Sequence, residues 1–164
     1  MHRAALYPGT FDPFTLGHLD IVERASRLFD RVLIGVAEPR HKTPLLPQDV
    51  RIELVRQSVS HLPNVEVKGF CKLLVEFARE EGIRVVIRGI RAVSDYEYEM
   101  KMAWMNKKLY PELETIFLLS SEKYAYLSSS FVKEIFSLGG DVSNFLPDPV
   151  ARYLKSMRSG EGEV

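Results

Sequence analysis

The segment Arg31-Val32-Leu33-Ile34-Gly35-Val36-Ala37 is a short run in which every residue after the first is apolar or glycine. A strand with one face in water alternates polar and apolar residues, whereas a continuous apolar run indicates burial on both faces. Val85-Val86-Ile87 has the same character further along the chain. The two runs predict central strands of a parallel sheet that helices cover on both sides.

Short apolar runs alternate with longer helical patterns through most of the chain, which is typical of repeated βα units. The predicted strands are 3–7, 31–37, 64–68, 84–88 and 114–119, and the predicted helices are 18–29, 48–62, 72–81, 94–110, 129–138 and 149–157. The predicted fold class is α/β, a Rossmann-like doubly wound sheet of five parallel strands with helices on both faces. We expect residues 1–158 to form a single domain and residues 159–164 a disordered tail.

The composition excludes several classes of protein. The 164 residues are 46% hydrophobic and 27% charged, which is ordinary for a soluble domain and unlike a disordered chain. Lys and Arg number 22, as do Asp and Glu, so no global positive field attracts nucleic acid. A single cysteine, Cys71, fits a reducing compartment, and no apolar run approaches the roughly 18 residues of a membrane span. We expect a cytoplasmic protein that binds neither nucleic acid nor membranes.

The loop after the first predicted strand reads YPGTFDPFTLGH over residues 7–18. Ligands of open α/β sheets bind at the carboxyl ends of strands, so this position favours a binding site. Gly9 would let the backbone approach a ligand, Thr10 offers a hydroxyl, and His18 stands at a helix N-terminus that favours anions. The alternative is that Thr15 merely caps the helix and His18 makes a local hydrogen bond.

Two later loops bring basic residues to the same edge of the sheet. Lys42 follows the second strand, and Arg88 ends the fourth strand just before Gly89 and Arg91. An arginine at a strand end needs an anionic partner, and a phosphate suits its planar fork. The alternative for Arg88 is a buried pair with a carboxylate.

The two longest predicted helices carry patterns that indicate structure. In helix 48–62 an apolar stripe leaves Arg51 and Arg56 facing solvent, and in helix 94–110 Ser94 is the predicted N-cap. An ordinary i, i+4 pair is expected between Glu97 and Lys101. A stripe that packs in the core or at a subunit interface comprises Met100, Ala103, Trp104 and Lys107.

Three consecutive serines, Ser128 to Ser130, begin the helix predicted after the fifth strand. Ser128 could simply cap this helix, yet hydroxyls and free N–H groups at a helix N-terminus also suit a polyphosphate. Residues 124–127 could then line an adenine pocket.

These motifs resemble those of a known family. Thr15-Leu16-Gly17-His18 resembles the TxGH version of the HxGH signature of nucleotidylyltransferases, and the loop before it is similar to the opening of phosphopantetheine adenylyltransferases. Residues 127–133 resemble the ISSSxxK/R element, with Leu127 for isoleucine and Lys133 at the basic position. Tyr124 stands where some members carry tryptophan. The resemblance runs from about residue 3 to residue 157.

The resemblance implies transfer of the adenylyl group of ATP to 4′-phosphopantetheine, giving dephospho-coenzyme A and pyrophosphate in coenzyme A biosynthesis. The expected catalytic residues are Thr10, His18, Lys42 and Arg91. The expected ATP-binding residues are Thr10, Phe11, His18, Gly89, Ile90, Arg91, Glu99, Tyr124, Ala125, Tyr126, Leu127, Ser128, Ser129 and Ser130. The expected phosphopantetheine-binding residues are Thr10, Lys42, Leu74 and Arg88, although Leu74 could equally bury a helix face.

Mg²⁺ is the expected cofactor, held by phosphate oxygens and water, and we assign no metal ligand to the protein. The resemblance also implies a homohexamer. Two alternatives remain. One is a related enzyme that transfers AMP or CMP to another phosphate. The other is a nucleotide-sensing or flavodoxin-like module that binds ATP without releasing pyrophosphate.

Overall fold

A computed structural model describes residues 3–160 of the chain. The strands are β1 (Ala4–Gly9), β2 (Arg31–Ala37), β3 (Val65–Phe70), β4 (Val85–Ile90) and β5 (Glu114–Leu119). The helices are α1 (Leu16–Leu28), α2 (Gln48–Ser58), α3 (Leu74–Glu80), α4 (Val93–Leu109), α5 (Ser129–Ser137) and α6 (Asp148–Ser159). Of the predicted tail, Ser159 ends α6, Gly160 caps it in the left-handed region, and residues 161–164 lie outside the described residues.

The five strands form one parallel sheet in the order β3-β2-β1-β4-β5, which confirms the predicted fold class. In the centre of the sheet, Leu6 of β1 lies between Leu33 of β2 and Val86 of β4. The strand order reverses between β1 and β4. The loops that follow these two strands therefore diverge, and they leave a crevice at the carboxyl edge of the sheet.

Successive residues of each central strand enter different cores because strand side chains alternate between faces. Ala5, Val32 and Ile34 belong to a cluster that includes residues of α1, α2, α5 and α6. Leu6 and Leu33 belong to a second cluster that includes residues of α3 and the turn after α4. This two-sided burial is the reason that the strands are continuously apolar.

Two details of the predicted helices are wrong. Ser94 does not cap α4, because the helix begins at Val93 and its N-cap residue, Ala92, makes no side-chain cap bond. Arg51 does not face solvent: only 1% of it is exposed. Its guanidinium is buried because α2 turns this residue towards backbone carbonyls of Thr10, Ala37 and Leu46. The predicted pair of Glu97 and Lys101 is confirmed, with Nζ and Oε1 3.0 Å apart.

α4 contributes no fully buried residue to the single chain. In the predicted stripe, Trp104 is 63% exposed, Lys107 is exposed, and Met100 and Ala103 are half-buried, so the stripe does not lie in the core. Packing at a subunit interface stays a prediction. Within residues 3–160, no helix combines the length and the apolar character needed to cross a membrane.

Candidate active site

Two neighbouring cavities open at the carboxyl edge of the sheet. The first cavity, of about 450 Å³, lies at the crevice beside β1 and β4 and reaches the start of α5. The second cavity, of about 400 Å³, lies towards α3 and α4 and includes Leu74, Met102 and Ala103 in its lining. The two cavities share a wall, which is formed by Pro8, Gly9, Thr10, Lys42, Arg88, Tyr98 and Glu99.

The first cavity brings together all four residues predicted to be catalytic and most of those predicted to bind ATP. Ile90, Ala125 and Tyr126 lie outside its lining, since Ile90 is buried and Tyr126 projects towards Phe145. Of the residues predicted to bind phosphopantetheine, Thr10, Lys42 and Arg88 lie in the shared wall. Leu74 lines the second cavity but not the first.

Local hydrogen bonds determine which nitrogen of His18 carries the proton. The backbone N–H of Thr15 donates to Nδ1 of His18 at 3.0 Å, and the backbone N–H of His18 donates to Oγ1 of Thr15 at 3.3 Å. Because Nδ1 accepts, the neutral ring carries its hydrogen on Nε2. Residues 3–160 provide no acceptor for that hydrogen. His18 therefore makes the predicted local bond with one nitrogen and retains the other as a donor in the cavity wall.

The surroundings of His18 keep it neutral. Phe14 stacks on the imidazole with ring centroids 5.5 Å apart, and Phe11 meets it edge-on at 5.1 Å. Burial, together with the positive charges of Arg91 and Arg88, lowers the pKa of His18 to about 3. At neutral pH this side chain is a neutral hydrogen-bond donor, and it is unsuited to accept a proton.

Gly9 also makes room for a neighbouring side chain. A Cβ atom at this position would lie 2.9 Å from the ring of Phe11. Phe11 is itself buried and has a φ of 52°, a left-handed conformation that is uncommon for an aromatic residue. The Phe11 ring occupies the space that a Cβ atom of residue 9 would need, and Gly9 still lines both cavities, so its approach to a ligand stays a prediction. That ring in turn supports His18.

Arg88 forms the carboxylate pair that the sequence analysis gave as an alternative, and it keeps donors for the predicted anion. Its Nε and Nη2 donate to the two oxygens of Glu99 at 2.8 and 2.7 Å, and Nη1 donates to the Pro8 carbonyl at 2.8 Å. Burial opposes the charge, but the bonds to Glu99 outweigh it and raise the pKa of Arg88. A guanidinium has five N–H groups, so two remain for an anion in the shared wall. Because both oxygens of Glu99 are engaged, its contact with ATP stays a prediction.

Arg91 joins two of the loops that line the first cavity. Its Nε lies 3.3 Å from Oδ2 of Asp95, and its Nη1 donates to the carbonyl of Leu127. The guanidinium remains partly exposed. It is therefore a cation whose position is set by the start of α4 and by the loop before α5.

The serine cluster both caps α5 and lines the first cavity. Oγ of Ser128 accepts from the backbone N–H of Phe131 at 3.1 Å, and Oγ of Ser129 donates to the Pro13 carbonyl at 2.8 Å. Ser128, Ser129 and Ser130 all line the cavity. The first backbone N–H groups of α5 have no partner within the helix, so this end of the cavity attracts anions.

Comparisons with known proteins bear on the family and the fold of this chain. A family model described as cytidylyltransferase-like matches residues 6–135. A phosphopantetheine adenylyltransferase from Methylococcus capsulatus is 55% identical over 162 residues, which are 99% of this chain and 100% of the relative. The chain belongs to the phosphopantetheine adenylyltransferase family. The family member from Heliobacterium modesticaldum is 54% identical over 89% of this chain and 87% of its own length.

A solved structure supports the same fold. The bifunctional NMN adenylyltransferase/ADP ribose pyrophosphatase from Francisella tularensis matches with a TM-score of 0.76, over 97% of this chain and 50% of that chain. The two sequences are 12% identical, so this likeness concerns the fold alone.

The site of this phosphopantetheine adenylyltransferase family member includes three residues that the sequence did not single out as site residues. Asp12 is 3% exposed, and its carboxylate accepts from the backbone N–H groups of Leu45 and Leu46 and from Nζ of Lys133. Arg51 lies outside the cavity lining, and its Nη1 donates to the Thr10 carbonyl at 2.7 Å.

A carboxylate between aromatic neighbours, Phe11 and Phe14, was the one signal that could have pointed to Asp12. No comparable signal existed for Arg51, and Lys133 was noted only as the basic position of its motif.

Proposed function

We infer that this protein transfers the adenylyl group of ATP to 4′-phosphopantetheine and releases dephospho-coenzyme A and pyrophosphate. The observation that carries this inference is the wall between the two cavities, where Lys42 and Arg88 face both. A phosphate-to-phosphate transfer needs cations where its two substrates meet. Membership of the phosphopantetheine adenylyltransferase family supports the choice of acceptor.

In this proposal ATP occupies the first cavity, with its polyphosphate near Arg91 and the N-terminus of α5. The phosphate of phosphopantetheine lies at the shared wall against Lys42 and Arg88. Its pantetheine tail extends into the second cavity, where Leu74 and Met102 offer apolar contacts. This arrangement is supported by the chemistry of each lining and by the common wall.

The proposed reaction is a single in-line displacement. A phosphate oxygen of phosphopantetheine forms a bond to the α-phosphorus of ATP, the bond to the bridging oxygen breaks, and pyrophosphate leaves with the electron pair. The second pKa of a phosphate monoester is about 6, so the nucleophile is already anionic and needs no general base. Catalysis then depends on placing the two phosphates and stabilising the transition-state charge.

The residues of the chain divide this task by position. His18 donates Nε2–H to an oxygen of the reacting phosphate, and its low pKa keeps that donor available without a change of charge. Thr10, the first residue after β1, adds a hydroxyl and an N–H in the shared wall. Lys42 and Arg88 stabilise charge on the acceptor phosphate, and Arg91 acts on the nucleotide side.

We propose that Mg²⁺ enters with ATP. Residues 3–160 contain no group of three side chains suited to hold a metal ion, and the Asp12 carboxylate is already bonded to Leu45, Leu46 and Lys133. The donors left for Mg²⁺ are phosphate oxygens and water, which this ion prefers to retain. When bound, it neutralises charge on the departing pyrophosphate.

We further propose a cytoplasmic homohexamer. The exposed apolar side chains of α4, among them Trp104 and Met105, support an assembly that covers this helix, and the family resemblance supplies the number six. A free exposed cysteine, Cys71, is compatible with a reducing compartment. Native mass spectrometry of the purified protein tests the assembly, and a monomer at micromolar concentration would overturn it.

The activity is tested by mass spectrometry of the products formed from ATP, Mg²⁺ and 4′-phosphopantetheine. Nicotinamide mononucleotide and glycerol phosphate serve as competing acceptors in the same mixture. We expect dephospho-coenzyme A and an equal amount of pyrophosphate. A different adenylated product would retain the nucleotidyl transfer but refute the acceptor, and ATP binding with no product would refute the enzyme.

A further inference from the structure

We propose that Asp12 is a positioning residue, which holds the root of the Lys42 loop, residues 38–47, against the first loop of the site. This inference rests on the proposed function, because it concerns how Lys42 reaches the acceptor phosphate. Asp12 itself touches neither reacting group in this proposal. It acts through the backbone that carries Lys42.

Within residues 3–160, the hydrogen bonds that hold the Lys42 loop all lie near its two ends. The N–H of Glu38 donates to the Phe70 carbonyl at 3.0 Å, and the N–H groups of Leu45 and Leu46 donate to Asp12 at 2.8 and 2.9 Å. Between these points, the described part of the chain forms no hydrogen bond with residues 39–44. The position of Lys42 is therefore determined by where the two ends are held.

The two carboxylate oxygens of Asp12 accept from different donors. Oδ2 accepts from Leu45 and from Nζ of Lys133, which lies 3.2 Å away, while Oδ1 accepts from Leu46. Three donors thus converge on a carboxylate that is 3% exposed. An asparagine has the same shape, but its NH₂ group would face at least one of these donors. The arrangement therefore requires the carboxylate.

Arg51 holds the same segments from the other side. It donates to the carbonyls of Ala37 and Leu46, at the two ends of the loop, and to the carbonyl of Thr10. Both ends of the Lys42 loop are in this way joined to the first loop. Lys42 is three residues from Leu45, so its Cα lies within about 11 Å of that anchor. A shift of Leu45 therefore moves all the positions that the Lys42 side chain can reach.

The test is a double-mutant cycle on the full-length enzyme, with steady-state kinetics in ATP and 4′-phosphopantetheine. We expect Asp12→Asn to lower kcat/KM for phosphopantetheine by about 10- to 100-fold, as misplacement of a binding group does. Lys42→Ala should lower it about tenfold in the wild-type background and less than about twofold in the Asp12→Asn background. Asp141→Asn is the matched control, because Asp141 also accepts a backbone N–H but lies at an exposed turn.

A purely structural role for Asp12 predicts a different result. If Lys42→Ala costs the same factor in both backgrounds, or if Asp12→Asn is as active as the wild type, the proposal is overturned. Failure of the wild-type enzyme to form dephospho-coenzyme A would instead refute the proposed function. If Asp12→Asn does not fold, amide hydrogen exchange of the wild type decides: Leu45 and Leu46 should exchange at least tenfold more slowly than Lys42 and Thr43. Equal rates would overturn the proposal.

Discussion

The end of β4 and the loop after β2 each contribute one cation to the wall between the cavities, but the fold holds them differently. Arg88 is anchored by three hydrogen bonds to Glu99 and to the Pro8 carbonyl. Lys42 is exposed and makes no hydrogen bond within residues 3–160, and only the ends of its loop are tied. The cation on the strand is thus held in place by the fold, whereas the cation on the loop would acquire a partner, under the proposed function, when the substrate binds. Substitutions at prearranged positions should therefore affect both catalysis and stability, and those in the loop catalysis alone.

The neutral His18 is also held in place by the fold, and its removal should have the largest effect. We expect His18→Ala to lower kcat for adenylyl transfer by about 10²- to 10³-fold, the usual cost of losing a donor to transition-state charge. The KM for ATP should change by less than about threefold, because the donor acts mainly in the transition state. Steady-state kinetics measure both values, with the exposed and remote His61→Ala as the control. Near-normal turnover would contradict the role given to His18.

The anchoring of Arg88 is tested by a substitution that keeps its charge. Arg88→Lys should lower kcat/KM for phosphopantetheine by about 10- to 100-fold, because an ammonium cannot bond both oxygens of Glu99 and also face the wall. It should also lower the free energy of unfolding by about 1–3 kcal/mol, since Glu99 loses its partner. Kinetics and denaturant melts check the two effects. Arg84→Lys, which alters an exposed ion pair just before the same strand, should change neither. Unchanged kinetics in Arg88→Lys would show that anchoring is unimportant.

Lys42 provides the contrasting case. Lys42→Ala should lower kcat/KM for phosphopantetheine about tenfold and leave the free energy of unfolding within about 0.5 kcal/mol of the wild type. The same kinetic and denaturation measurements apply. Arg40→Ala, in the same loop but outside both cavities, is the control. A marked loss of stability in Lys42→Ala would remove the distinction between the two cations.

The smallest expected effect concerns the protonation of His18, which should not change near neutral pH. Because the pKa of His18 is lowered from 6.5 to about 3, its ring gains a proton only in strong acid. Its imidazole ¹⁵N resonances should therefore stay constant between about pH 5 and pH 8 and report hydrogen on Nε2. The signals are assigned by their loss in His18→Gln. A midpoint near pH 6.5, or hydrogen on Nδ1, would contradict the geometry described for Thr15 and His18.

The fold was predictable because the central strands are continuously apolar, which indicates burial on both faces. Strands 31–37 and 114–119 have the predicted bounds, and the other three differ by one or two residues at their ends. The place of the candidate site followed from the same pattern, whereas most of its residues were expected from the family resemblance. In a parallel sheet the carboxyl ends of all strands meet at one edge, so loops distant in sequence converge there. Thr10, Lys42, Arg88 and Arg91 converge in this way.

The partners of those residues were not predictable from local patterns. Helical spacing places Arg51 on the polar side of α2, but it does not reveal that this side faces the backbone carbonyls of two loops. The spacing likewise favours Ser94 as a cap, although α4 begins one residue earlier. The contact between Gly9 and the ring of Phe11 in the same loop was also not predicted.

The sequence by itself determined the parallel sheet and the edge at which the site forms, and its resemblance to a known family indicated most of the residues that line the site. Periodicity and strand-end position depend on neighbouring residues, so they can be recognised without knowledge of distant contacts. Only the tertiary structure decided how those groups are held: Glu99 on Arg88, Thr15 on His18, and Asp12 at the root of the Lys42 loop. The Asp12 bonds span more than 30 residues of sequence, and the direction of a hydrogen bond depends on angles that no one-dimensional pattern contains.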